Sequence, residues 1–168
     1  MRLFFALPVP PELVADLDQR WPVKASAPPH LTLAFLGEQP EERLPALLET
    51  GTAIAARHSP LELRTAVLGG FPRLASARVL WLGLEPSPGL EALATDLRQA
   101  LRDIGLPLDP GPFKAHLTLA RTKAPRDLRG LAPVAESPFR VEELLLVESH
   151  LEPQGARHVV LGRFGLAQ

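Results

Sequence analysis

The chain has 168 residues, 46% of them hydrophobic and 22% charged, a globular composition long enough to bury a sizeable core in one domain. Eighteen Lys and Arg against nineteen Asp and Glu leave a formal net charge of −1, so no global field marks a nucleic-acid partner. Cysteine is absent, which excludes disulfides and thiolate metal sites, and no apolar run reaches the roughly 18 residues of a membrane span.

The N-terminal MRLFFALPVPPEL is apolar only briefly, meets Pro8 and Pro10 and has no small-residue cleavage site. It reads as a first strand, Arg2–Leu7, rather than a signal peptide, and the expected location is the cytoplasm. Pro11–Gln19 reads as a short helix, with Leu13, Val14 and Leu17 at helical spacing. PVKASAPP, residues 22–29, is an extended lead-in, because proline forces the residue before it out of the helical region. His30–Leu36 follows as a strand closed by Gly37, then Glu41–Arg57 as a helix burying Leu44, Leu47, Leu48 and Ile54. Two strands come next, Leu61–Leu68 and Arg78–Leu84, with GGFPR between them as a Gly/Pro turn. Ser87 is placed to cap a helix over Pro88–Ile104 and Gly105 to end it, with Leu90, Leu93, Leu97 and Leu101 on its apolar face. Phe113–Ala120 is again a strand. A basic loop follows, where Lys114, Arg121, Lys123, Arg126 and Arg129 face a single acid, Asp127. Phe139–Leu151 and His158–Phe164 close the chain as two strands around the turn EPQGA.

Strands and helices do not alternate regularly enough for a doubly wound parallel sheet. The pattern predicts an α+β fold of two similar lobes with mainly antiparallel sheets, and residues 1–168 read as a single domain.

The pentamer HLTLA occurs twice, at His30–Ala34 and at His116–Ala120, once in each half of the chain. Side chains alternate along a strand, so His30, Thr32 and Ala34 share one face, as do His116, Thr118 and Ala120. The leucines between them anchor each strand in a core. Two histidines facing one ligand suit proton transfer at a tetrahedral phosphorus: a neutral imidazole takes a proton from the attacking oxygen, and a charged one gives a proton to the oxygen that leaves. Thr32 and Thr118 could bind phosphate oxygens, and an arginine could hold them bidentately. A strained cyclic phosphodiester fits this chemistry. Zinc on the two histidines is the rival, yet it needs a third protein ligand and none stands out. No phosphate-cradling glycine motif occurs. His58 reads as a helix C-cap, His150 and His158 as surface positions, and Trp21 and Trp81 as core or edge aromatics.

With RLFFALPVP, HLTLAFLGE, RVLWLGLE, HLTLAR and VESHLEPQGARH in sequence, nearly the whole chain resembles the RNA 2′,3′-cyclic phosphodiesterases, or 2′-5′ RNA ligases, of the 2H phosphoesterase superfamily. The resemblance implies pseudo-symmetric lobes around a central cleft, with helices on the outer face of each sheet. It also implies hydrolysis of RNA 2′,3′-cyclic phosphates to 2′-phosphates without a metal or cofactor, and a reverse reaction joining RNA through a 2′-5′ bond. By position, His30 is expected to protonate O3′ and His116 to activate water. Thr32, Thr118 and Arg121 are expected to bind phosphate, although pseudo-symmetry leaves the two histidine roles exchangeable. The expected partners are RNA ends or small nucleotides bearing a cyclic phosphate, with the protein a monomer. The alternative is a non-catalytic RNA- or nucleotide-binding module using the same cleft. Two positions depart from the family: Ala115 stands where proline is common, and His158 where an aromatic is common. Strict alternation points Arg121 away from His116 and leaves Phe35 in the core.

Overall fold

The computed structural model describes residues 1–13, 29–111, 113–131 and 136–167. Among these described residues it has two four-stranded antiparallel sheets and two α-helices. The strands are β1 (Arg2–Pro8), β2 (His30–Glu38), β3 (Leu61–Arg73), β4 (Ser76–Leu84), β5 (His116–Arg126), β6 (Pro138–Val141), β7 (Glu143–Glu152) and β8 (Gly155–Gly165). The helices are α1 (Leu44–Ala56) and α2 (Pro88–Asp103). The first sheet runs β2-β1-β7-β8 and the second β5-β4-β3-β6, so each histidine strand is the edge strand of its own sheet. The expected α+β class with antiparallel sheets holds. The helix expected over Pro11–Gln19 and the lead-in before His30 lie largely outside the described residues, as does Trp21.

Helix α2 forms where its local signals put it. The Leu90 N–H donates to Ser87 Oγ at 3.2 Å, Leu90, Leu93, Leu97 and Leu101 are buried, and Gly105 leaves the helix with φ +91°. Helix α1 starts later than its periodicity suggests. Residues Glu41–Arg43 form a 3₁₀ turn and the α-helix begins at Leu44, because the Pro45 ring would collide with the Glu41 carbonyl in an α-helix reaching further back. The His58 backbone N–H donates to the Ala55 carbonyl in the last turn of α1, but its side chain does not cap the helix. Its Nε2 lies 2.7 Å from Asp96 Oδ2 on α2, and Arg57 pairs with the same carboxylate at 2.8 Å.

Three further expectations change. GGFPR is not a turn: β3 continues through it to Arg73. Its glycines make room instead, since a Cβ on Gly69 would lie 2.1 Å from the Trp81 ring and one on Gly70 would lie 2.7 Å from the Ala77 methyl. The basic stretch after Ala120 is strand rather than loop, and β5 runs on to Arg126, which pairs with Ala77. The strand expected over Phe139–Leu151 breaks at Glu142. Its first part, β6, pairs with β3, and the second, β7, pairs with β1 and β8.

The break lets one stretch of chain serve both sheets. Their back faces and both helices share one core, which includes Leu3, Phe5, Leu31, Leu82, Leu97 and Leu117. Each fully buried leucine stabilises the fold by about 1.5–3 kcal/mol, so the back-face leucines of β2 and β5 fix what their front faces present. The two sheets adjoin along β2 and β5.

Candidate active site

Both HLTLA strands carry the same irregularity. In β2, His30 is opposite Pro8, Thr32 opposite Ala6 and Ala34 opposite Phe5, so Leu33 is an extra residue. In β5, His116 is opposite Gly83, Thr118 opposite Trp81 and Ala120 opposite Leu80, so Leu119 is extra. An extra residue inverts the alternation beyond it. Phe35 therefore falls opposite Phe4, and Arg121 opposite Val79. Phe4, Ala6 and Pro8 share one face of β1, and Val79, Trp81 and Gly83 share one face of β4. Hence His30, Thr32 and Phe35 share the front of the first sheet, and His116, Thr118 and Arg121 share the front of the second.

This corrects the expectations drawn from strict alternation: Ala34 and Ala120, opposite Phe5 and Leu80, turn into the core instead of sharing the histidine faces. Arg121 is on the same face as His116 and is exposed. Phe35 is not in the core: it is 67% exposed, with its ring 5.8 Å from that of Phe4. The two residues stand at matching places, each five after its histidine. The sequence held a signal of the bulge, because Leu119-Ala120-Arg121 would otherwise turn a charge into the core.

The surroundings of the two histidines differ. His30 is half-buried, its ring 5.1 Å from Phe4 and 5.1 Å from His158, the latter edge-on at 74°. His158 also packs on Phe4 at 5.2 Å. Phe4, with Ala6, Leu145 and Val147, forms a small apolar floor separate from the main core. Burial, and then the nearby charge of His30, lower the pKa of His158. His158 is thus no plain surface position, as its place in the last hairpin suggested, but part of the His30 cluster. Its strand reaches that cluster only through the non-local order β2-β1-β7-β8. His150 faces elsewhere and pairs with Glu148 at 2.9 Å.

His116 is exposed, and its Nδ1 lies 2.9 Å from the Lys114 carbonyl. A carbonyl only accepts, so Nδ1 carries the hydrogen and the neutral ring keeps its lone pair on Nε2. The Trp81 ring, which sequence left as a generic aromatic, stands edge-on to it at 6.4 Å and 68°. Among the described residues no group of three or more His, Asp or Glu side chains is arranged to hold a metal ion.

Residues 11–152 match the family model of the 2′-5′ RNA ligase superfamily. The chain belongs to that superfamily. Within it, the chain is 36% identical to an RNA 2′,3′-cyclic phosphodiesterase of Thermus thermophilus, over 99% of this chain and 90% of the relative. It is 33% identical to one of Escherichia coli, over 99% and 97%. The 2′-5′ RNA ligase fold is equally plain in three dimensions. The structure of E. coli LigT complexed with 3′-AMP superposes with a TM-score of 0.79 at 30% identity, over 99% of this chain and 98% of the other. No helix among the described residues of this superfamily member is long and apolar enough to cross a membrane.

Proposed function

We propose that the protein hydrolyses RNA 2′,3′-cyclic phosphate ends to 2′-phosphates, with both HLTLA strands acting on one phosphate. The observation that carries this reading is the shared bulge, which turns a His, a Thr and a fifth residue to the front of two edge strands that adjoin. The names of the T. thermophilus and E. coli relatives, and the 3′-AMP in LigT, support the substrate class.

His116 Nε2 takes a proton from water as the water oxygen attacks phosphorus. The P–O3′ bond breaks, and His30 gives its proton to O3′, leaving the phosphate on O2′. The Nδ1–H bond to Lys114 favours His116 as the base, since it leaves Nε2 as the acceptor. Thr32 and Thr118 hydroxyls donate to the non-bridging oxygens and the Arg121 guanidinium holds them bidentately, offsetting charge that builds in the transition state. Phe35 offers a flat, exposed ring to the terminal base. With an RNA 5′-hydroxyl in place of water, the same groups would join a 2′,3′-cyclic end to another RNA through a 2′-5′ bond: His116 takes the hydroxyl proton, O5′ attacks phosphorus, and the P–O3′ bond breaks as His30 protonates O3′. The chain, residues 1–168, works as one bilobal unit and as a monomer.

The test is incubation with RNA ending in a 2′,3′-cyclic phosphate in EDTA, followed by location of the phosphate. Cleavage to a 2′-phosphate is expected. A 3′-phosphate would reverse the leaving group, and binding without turnover would favour a non-catalytic nucleotide-binding module.

A further inference from the structure

The front of the second sheet extends beyond the histidine site. Gly69 on β3 is opposite Trp81, and Phe71 is opposite Val79, so Phe71 shares the face of His116, Thr118 and Arg121. The Trp81 indole occupies the space a side chain at Gly69 would take. Phe71 is 67% exposed and Val67 is 70% exposed. Val67 Cγ2 lies 3.9 Å from where Gly83, the residue opposite His116, would carry a Cβ. Large apolar side chains left in solvent on one face mark a contact surface.

Cations rim this face. Arg121, Lys123 and Arg126 on β5, and Arg73 and Arg78 at the β3–β4 hairpin end, are exposed and have no carboxylate partner among the described residues. By contrast, Arg157 pairs with Glu152 and Arg163 with Glu143 on the first sheet, and Arg140 pairs with Glu62 and Glu142. Flat apolar groups beside unpaired cations fit single-stranded nucleic acid, whose bases stack and whose phosphates attract.

We infer that Trp81, Phe71 and Val67 form a second base platform, which takes the nucleoside preceding the cyclic-phosphate end. This rests on the reading proposed above, in which the terminal base lies on Phe35 and the phosphate lies between β2 and β5. The strand leaves that nucleoside through O5′, and Trp81, edge-on to His116, makes the second platform continuous with the site. Lys123 then meets the phosphodiester that joins the two nucleosides, while Arg121 stays on the reacting phosphate. RNA ends are preferred over mononucleotides because they fill both platforms.

The experiment compares kcat/KM in EDTA for a nucleoside 2′,3′-cyclic phosphate and for a dinucleotide with the same cyclic end. The wild type is expected to favour the dinucleotide by about 5- to 150-fold, the usual worth of one stacked base. Phe71→Ala and Val67→Ala each reduce that advantage and leave mononucleotide turnover unchanged, since both side chains project into solvent and neither supports the core. Equal kcat/KM on the two substrates in the wild type overturns the inference and spares the hydrolase reading. So does a Phe71→Ala that slows both substrates alike, which would put the terminal base on this platform. A dimer broken by Phe71→Ala, with no dinucleotide preference, assigns the face to a second copy of the chain and overturns it too. Turnover of neither substrate overturns the parent reading and this inference together.

Discussion

The two histidine strands share a pentamer, a bulge and an edge position, yet they place their imidazoles in unlike settings. His30 is wedged between Phe4 and His158, while His116 is exposed and tied by Nδ1 to a backbone carbonyl. The difference continues one step along each strand, where the position five after the histidine is a flat ring in β2, Phe35, and a cation in β5, Arg121. Repetition thus supplies a common frame, and divergence within the frame gives the two imidazoles distinct surroundings. The first lobe sets its imidazole against rings; the second presents its imidazole on the same face as a cation.

The largest effects come from removing either imidazole. His30→Ala and His116→Ala are each expected to lower kcat by about 10²–10⁴-fold. Their pH profiles separate the lobes. Loss of His116 removes the acidic limb, because that ring must be neutral to work. Loss of His30 removes the basic limb, because that ring must carry its proton. The opposite pattern would exchange the two roles.

Next come the matched fifth positions. Arg121→Ala should cost about 10²–10³-fold in kcat, as removal of a transition-state donor does. Lysine should recover little of this, since it lacks the bidentate fork. Phe35→Ala should cost about 5- to 150-fold, chiefly in KM. Equal loss in kcat at both positions would erase the contrast between the lobes.

A smaller effect is expected at Gly69. A methyl there meets the Trp81 ring, and Gly69→Ala should destabilise the protein by about 1–3 kcal/mol in denaturant titration. An unchanged midpoint would mean that the indole does not need that space.

The smallest effect concerns His158. Its lowered pKa means that the unfolded chain binds this proton more readily than the folded one. Its contribution is therefore fully present above the ordinary imidazole pKa near 6.5, and declines as pH falls below that value. His158→Phe should flatten the fall of thermal stability below about pH 6.5 relative to wild type. An unaltered slope would show that His158 is not held neutral by its neighbours.

Much of this was legible in the sequence where the signals are local. The capping Ser87, the leucine spacing and Gly105 define α2, and the repeated pentamer marks both edge strands. What escaped was non-local. Gly69 and Gly70 look like turn residues until Trp81 and Ala77 are seen lying over them. Leu33 and Leu119 look like ordinary members of an alternating strand until the pairing across β1 and β4 shows them to be extra. Their bulges bring Arg121 and Phe35 to the faces that carry His116 and His30. His158 was missed because no spacing rule tells which strand the last hairpin will flank. The break at Glu142 was missed because PFRVEELLLVESHL reads as one apolar run, while its two parts join different sheets.

The central claim is that one phosphate engages both lobes at once. It is tested most directly by following the imidazole nitrogens of His30 and His116 by NMR during titration with a nucleoside 2′-phosphate. Both rings are expected to respond together, saturating with the same Kd at one equivalent of ligand. A response from only one ring, or two responses with different Kd values, would contradict it.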